Sequence, residues 1–414
     1  MDKPESFSNE IAMINYKKRR TEGMEMKIFH TADWHLGKLV QGVYMTEDQR
    51  YILQQFLAAV DEEQPDVVII AGDLYDRSLP PVDAVHLLDE VLEELIIKRK
   101  TPVIAIAGNH DSPTRLDFGS KLMKNSGLHI VGEFSQHMEP IIINDAYGEV
   151  HFHLIPFAEP SIVRTAYNDE SVLTYDDAMK KITDDIVSRM SPDARHIAIA
   201  HAFVTPTGEK EENTSDSERP LAIGGSECVS AHYFLPFHYT ALGHLHKAHK
   251  VLDEKICYAG SPLKYSASEA LHEKGFYSIE LHADGQITKE KRKLTPIRDM
   301  RIVEGTLQDI LRHEENEDYV FVTLTDLTPV VGAMEQIRTV YKNAMHVTRK
   351  TIRTTTTENA AVVERAKLGD KELFEAFCNE MNGNPPSEMV VSIFEEVLQE
   401  LLKEDREQVE VSVK

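Results

Sequence analysis

Four of five short strings within residues 30–250 carry an apolar, β-prone stretch into a polar residue of metal-ligating type. The five read HTADWHLG, AGDLYD, AGNHDS, IAIAHAF and ALGHLH, and they supply Asp33, His35, Asp73, Asn109, His201, His244 and His246. A chain that ends strand after strand in this way presents a site at the carboxyl ends of an α/β sheet. Imidazole nitrogen, carboxylate oxygen and a neutral amide oxygen together suit a divalent first-row metal. These ligands are too many for one tetrahedral ion and about right for two octahedral ions sharing one bridging carboxylate. Two metals roughly 3.5–4 Å apart form a hydrolytic centre for phosphoesters.

The rest of the pattern supports that fold class. From Lys27 to about Ser278, short strands alternate with amphipathic helices expected near 46–61, 82–98 and 176–190. Runs such as VVII and VIAI show no polar alternation, so both faces of their sheet must be covered. Residues 204–230 interrupt the alternation with a polar, charged, glycine-rich stretch. A loop of this length in a compact domain is usually functional or disordered, and this one directly follows His201, so it is expected to border the site.

The character changes near Gly275. GFYSIEL and ITKEKRKL alternate like a hairpin around Asp284-Gly285. Helices near TLQDILRH and over VVGAMEQIRTVYKNAM then flank a strand YVFVTLTD. The expected organisation is a leader over 1–25, a phosphoesterase domain over 26–274 and a small α+β capping domain over 275–350. A threonine-rich linker over 351–368 then leads to a helical tail over 369–414. The tail holds two helices, near 370–381 and 387–404, parted by NGNPP. The second carries Val390, Ile393, Phe394, Val397, Leu398 and Leu401 at helical spacing.

The formal charge of −24 is wrong for a chain that grips nucleic acid unaided. Either basic residues cluster locally, or a partner supplies the grip, or the substrate is not nucleic acid. Cys228, Cys257 and Cys378 are scattered without a CxxC pair, which fits a reducing compartment. No apolar run approaches the length of a membrane span, and the basic stretch Lys17–Arg20 is followed by no apolar segment, so no signal peptide is read. These features predict a cytoplasmic protein.

Individually the strings are weak, because Asp-x-His occurs by chance and a lone histidine is usually a hydrogen-bonded core residue. Together, the order D-x-H, GD-x-x-D, GNHD, H and GHxH resembles the calcineurin-like metallophosphoesterase superfamily. The longer strings AGDLYDRSLPP, AGNHDSPTRL, SDSERPLAIGG, ALGHLHKAH and YAGSPLKYSASE resemble its SbcD nuclease branch. That branch implies a sheet sandwich flanked by helices. It implies that Asp33, His35 and His246 bind one metal, that Asn109, His201 and His244 bind the other, and that Asp73 bridges both. Manganese is the implied ion, while the ligand set also tolerates iron or zinc. His110 matches the position of the general acid, with Asp76 as the group that holds its ring. The implied activity is 3′→5′ exonuclease on double-stranded DNA ends and endonuclease at hairpins or blocked ends, in DNA repair, recombination and replication. The implied partner is an SbcC-type ATPase bound by the C-terminal helices, in a heterotetramer of two nuclease and two ATPase subunits. Lys38, Arg77, Arg115, Lys121 and Lys124 lie where they could touch DNA phosphates. The alternative is a small-molecule or protein phosphoesterase of the same superfamily.

Overall fold

The computed structural model describes residues 25–209, 216, 218, 227–350, 370–382, 385–387, 389–395 and 397. The leader over 1–24 and the linker expected over 351–368 lie outside the described residues.

Two six-stranded sheets form the centre of residues 25–293. The first runs in the order Ile287–Lys293, Gly275–Leu281, Met26–Thr31, Val67–Ile70, Val103–Ile106 and Leu128–Val131. The second runs His249–Lys250, Ile256–Tyr258, Tyr239–Gly243, Arg195–His201, Gly148–Ile155 and Ile141–Asp145. The sheets pack face to face through Ile28, Val67, Ile69, Ile104, Phe152, Ile197 and Ile199. Helices Thr46–Glu63 and Val82–Leu92 cover the outer face of the first sheet, and Pro160–Tyr167 and Tyr175–Ser188 that of the second. This four-layer packing explains the unbroken apolar runs, since every central strand is buried on both faces.

One expected boundary moves. The hairpin of Gly275–Leu281 and Ile287–Lys293, grouped on sequence with the capping domain, belongs to the first sheet. Its first strand pairs antiparallel with Met26–Thr31, from Met26 opposite Leu281 to His30 opposite Tyr277. Phe276 packs against Phe29 and Phe56 with ring centroids 4.7 and 4.9 Å apart. The cap begins only after Lys293. It is a parallel three-stranded sheet of Met300–Gly305, Tyr319–Leu324 and Ala344–Arg349 with two short helices, Leu307–Ile310 and Ala333–Ile337. The long helix expected over 330–345 shrinks to Ala333–Ile337 because Ala344–Arg349 is drawn into that sheet.

The cap is tied to the loops that carry the site. Met300, Tyr319 and Met345 pack on Val40 and Met45 of the turn following His35. Tyr319 donates to Asp48 at 2.8 Å, and Arg298 pairs with the same carboxylate at 3.0 Å.

The tail is a unit of its own. Within it, Phe374 of helix Asp370–Asn382 stacks on Phe394, with ring centroids 4.0 Å apart and an interplanar angle of 3°. Phe394, placed on sequence in the outward stripe, therefore packs inside the tail. Val390, Ile393 and Val397 remain exposed, and Leu398 and Leu401 lie outside the described residues.

The three-ring cluster yields a test of the revised boundary. Phe276→Ala removes a buried aromatic from the phosphoesterase core and is expected to cost about 3–5 kcal/mol. Urea unfolding followed by tryptophan fluorescence reads this through Trp34, the chain's lone tryptophan, which lies in the same core. A wild-type midpoint would return the hairpin to the cap.

Candidate metal centre

The loops at the carboxyl ends of the strands converge where the two sheets meet. Asp33 and His35 follow Met26–Thr31, Asp73 follows Val67–Ile70 and Asn109 follows Val103–Ile106. His201 ends Arg195–His201, while His244 and His246 follow Tyr239–Gly243. The backbone is forced to make this convergence. Asp33, His35, Asp73 and His244 hold left-handed φ values of 54°, 46°, 50° and 109°. Non-glycine residues take that region only where the surroundings over-determine it, typically at functional sites. Two glycines make the room. A Cβ on Gly72 would stand 2.3 Å from His201 Nδ1, and one on Gly108 would stand 2.2 Å from Asp73 Oδ1.

The seven sequence-predicted ligands are brought together in two sets. His35 Nε2 lies 3.0 Å from His246 Nε2, and Asp33, His35 and Asp73 each direct a ligand atom into one 4.8 Å cluster. Asn109 Oδ1 lies 2.9 Å from His201 Nε2 and 3.3 Å from His244 Nδ1. Asp73 Oδ2 stands between the sets, 3.5 Å from His35 Nε2 and 3.5 Å from His201 Nε2. All but Asn109 are buried; Asn109 is partly open to solvent.

The electrostatics call for cations. Burial, and then the neighbouring Asp73 carboxylate, raises the Asp33 carboxyl well above the usual carboxylate range. Burial, and then neighbouring histidines, holds His35 and His244 well below the ordinary imidazole value. Neutral imidazoles are the form that binds metal. The Ala71 carbonyl accepts a hydrogen bond from His201 Nδ1 at 2.9 Å, which leaves Nε2 as the lone-pair nitrogen facing Asn109 and Asp73.

A sequence profile described as Calcineurin-like phosphoesterase matches residues 26–248. A second, described as Type 5 capsule protein repressor C-terminal domain, matches residues 296–382. The SbcD subunit of the nuclease SbcCD from Staphylococcus epidermidis (strain ATCC 12228 / FDA PCI 1200) is 36% identical over 360 residues, spanning 86% of this chain and 93% of that protein. The chain belongs to the SbcD branch of the calcineurin-like phosphoesterases. Among solved structures, a dimetal phosphatase from Danio rerio is similar at a TM-score of 0.38 and 12% identity, over 66% of this chain and 97% of that one.

SbcD-branch phosphoesterases imply bound divalent ions, and the donors here fit them. Asp33 Oδ2 is buried without a hydrogen-bond partner, an arrangement costly in a metal-free protein. Two imidazole nitrogens 3.0 Å apart match adjacent ligands on one ion, since metal–nitrogen bonds run about 2.0–2.1 Å.

His110 lies against the first set, its ring centroid 4.5 Å from that of His35. Its main-chain N–H donates to Asp73 Oδ1 at 2.9 Å. Its Nδ1 donates to the main-chain carbonyl of Asp76 at 2.8 Å, whereas the Asp76 carboxylate is 4.0 Å away and pairs with Lys38 at 2.8 Å. Asp76 thus meets the ring through its backbone. The loop over 204–230 does reach the site, because Glu218 accepts from the His246 main-chain N–H at 2.7 Å.

Three further residues position the ligands and escape a reading of sequence alone. Gln49 donates to the carbonyls of His35 at 2.7 Å and Trp34 at 3.1 Å and accepts from Gly37 N at 3.0 Å, which fixes the first loop. Asp111 accepts from the main-chain N–H groups of Leu74, Tyr75 and Gly108, binding the Asp73 loop to the Asn109 loop. Glu269, fully buried, lies 3.2 Å from His246 Nδ1 and is itself paired with the buried Lys274. A carboxylate behind a ligating histidine fixes its tautomer and raises its basicity.

Glu269→Gln is therefore expected to weaken divalent-ion binding at the His246 set by about 10–100-fold, the usual cost of losing such a partner. Equilibrium dialysis with metal analysis checks this, and unchanged affinity would assign Glu269 to the Lys274 ion pair alone.

Proposed function

We propose that this chain is the nuclease subunit of an SbcCD-type complex, a manganese-dependent phosphodiesterase that cuts DNA. The observation that carries the reading is the placement of Asp73 Oδ2 at 3.5 Å from one histidine of each ligand set. One shared carboxylate between two histidine-rich half-sites is the design of a two-metal phosphoesterase. Asp33, His35 and His246 would hold one ion, Asn109, His201 and His244 the other, and Asp73 would serve both. When bound, the ions activate the attacking water and neutralise charge on the phosphoryl oxygens.

The protein's own groups complete the reaction. Nδ1 of His110 is occupied by the Asp76 carbonyl, so proton transfer falls to Nε2. From there His110 protonates the departing 3′ oxygen as the general acid. Arg77, just after Asp76, and Arg115, Lys121 and Lys124, on the short helical segments Pro113–Asp117, Ser120–Met123 and Lys124–Ser126 that follow Asn109, are exposed and available to phosphates without reading sequence. This local basic fringe reconciles a chain of charge −24 with a DNA substrate. The finer activities follow the branch: 3′→5′ exonuclease on double-stranded ends and endonuclease at hairpins or blocked ends, in the cytoplasm. Among the described residues no helix is long and apolar enough to cross a membrane.

The expected variant is His110→Ala. It should retain both metals, since His110 is not among the proposed ligands, and slow Mn-dependent cleavage of hairpin and linear DNA by roughly 10²–10⁴-fold. Loss of metal would make His110 a ligand. Turnover of a small phosphomonoester with no DNA cleavage in the wild type would favour the small-molecule reading.

The tail carries the partnership. Val390, Ile393 and Val397 keep 44%, 51% and 50% exposure within a short helical unit. They form the face of an amphipathic helix that docks on an SbcC-type ATPase, in a complex of two nuclease and two ATPase subunits. Ile393→Asp should abolish pull-down by the ATPase while leaving the melting temperature and intrinsic cleavage of short DNA unchanged. Phe394→Asp is the unsuitable probe, since Phe394 stacks on Phe374 inside the tail. Retained binding by Ile393→Asp would remove this face from the interface.

A further inference from the structure

A second group of imidazoles lies on the outer face of the second sheet. His151 and His153 are alternate residues of Gly148–Ile155, so they share a face. His151 pairs in register with His196 on the neighbouring strand Arg195–His201. Val150, Phe152 and Leu154 point into the core between the sheets, which turns the histidines toward the helix layer. All three are buried, at 8%, 7% and 3% exposure, and one nitrogen from each lies within 4.8 Å of the others.

The spacing reproduces that of the phosphoesterase centre. His153 Nε2 lies 3.0 Å from His196 Nδ1, as His35 Nε2 lies 3.0 Å from His246 Nε2. Nitrogens on one tetrahedral ion stand about 3.3 Å apart at bond lengths near 2.0–2.1 Å, so small ring rotations would suffice. The tautomer is also set. The Ser191 carbonyl accepts from His196 Nε2 at 2.8 Å, leaving the Nδ1 lone pair aimed at His153. Glu149 Oε2 lies 2.8 Å from His151 Nε2, the carboxylate contact that commonly accompanies a ligating imidazole. Burial, then His196 and His151, pushes His153 down to about 3, and burial lowers His196 as well. His153 and His196 thus offer neutral nitrogens at neutral pH.

We propose that His151, His153 and His196 form a separate metal site for a zinc-class divalent ion, at the end of the sheet opposite the phosphoesterase centre. On their common strand His196 and His201 are separated by roughly 16 Å at about 3.3 Å per residue, so the two sites share no ligand. The chemistry differs too. An all-imidazole set favours zinc and its late first-row neighbours, whereas carboxylate and amide oxygens admit manganese. An ion here clamps two adjacent strands and, through Ser191, the turn that enters the second of them. Without an ion, the same 3.0 Å contact is a hydrogen bond from one neutral histidine to the other.

Zinc binding separates these two states. Full-length protein stripped with a chelator and re-equilibrated with zinc should bind about one equivalent more than His153→Gln, which keeps a donor toward His196 but loses the ligand nitrogen. Zinc should also raise the wild-type melting temperature beyond that of the variant, because a ligand that binds only the folded state stabilises it. Mn-dependent phosphodiesterase activity should be the same in both. Equal zinc content in the two proteins overturns the proposal. Should His153→Gln fail to fold, the wild type still decides: zinc saturating at no more than the two equivalents of a two-metal centre overturns the site equally.

Discussion

Two carboxylates, Asp33 and Asp73, are held close together where solvent cannot reach them, and the rest of the domain is arranged around that constraint. Burying a charge costs several kcal/mol even after relaxation, and a like charge beside it adds to the cost. The main chain offsets part of it: His244 N donates to Asp33 and His110 N donates to Asp73. What remains is a buried pair of carboxylates beside imidazoles, of which His35 and His244 are held neutral by burial, an arrangement that divalent cations satisfy. In a centre of this kind, metal affinity and folding stability are one quantity viewed from two sides.

Rigid support is what makes such a pocket tolerable. All the candidate ligands but His201, which ends strand Arg195–His201, stand on loops, and loops alone hold geometry loosely. Here the loops are tied to one another. Asp111 joins the second and third, Gln49 joins the first to helix Thr46–Glu63, and Glu269 with Lys274 anchors His246 from the segment just before the closing hairpin. The cap adds a further tie, because Tyr319 and Arg298 both engage Asp48, one residue from Gln49. A shift of the cap would therefore be felt by the loop that carries Asp33 and His35. This gives a physical route between the cap and the metals that needs no direct contact with substrate.

The candidate ligands are legible in the sequence because their strings follow apolar runs, and a strand end is a local feature. The positioning residues are not legible, for the complementary reason. Asp111 closes GNHD and Glu269 closes YAGSPLKYSASE, so both lie in strings that carry the resemblance, but Glu269 meets His246 across 23 positions and Asp111 meets Leu74 across 37, and no local pattern gives them a positioning role. Gln49 sits on a helix whose other buried residues include Ile52, Leu53 and Phe56, so periodicity reads it as one more polar residue. The hairpin reads as part of the cap because an edge strand such as Ile287–Lys293 alternates, and alternation records exposure rather than partnership. Its inner strand, Gly275–Leu281, is buried almost throughout, and its apolar content is the available signal that it joins a covered sheet. In the tail, helical spacing marks the apolar stripe but cannot divide it. Phe394 goes to the tail's own packing, while Ile393 stays outward.

The two imidazole clusters show how one sheet can keep two metal chemistries apart. Strand Arg195–His201 contributes His201 at its carboxyl end and His196 near its amino end, on the same short stretch of backbone. At the carboxyl end, turns from both sheets bring aspartates and an asparagine among the histidines, so the donor set is hard and anionic. At the amino end the neighbouring strand contributes His151 and His153, with Glu149 behind His151, and the donor set is all imidazole. The all-imidazole set favours zinc and its late first-row neighbours, whereas the carboxylate-rich set admits a wider range of divalent ions. Zinc entering the catalytic pocket would be held there too, since late first-row ions bind most nitrogen and oxygen sites more tightly. A buried all-histidine site on the far side of the same sheet gives such an ion a place where its binding stiffens the scaffold and leaves the hydrolytic centre untouched.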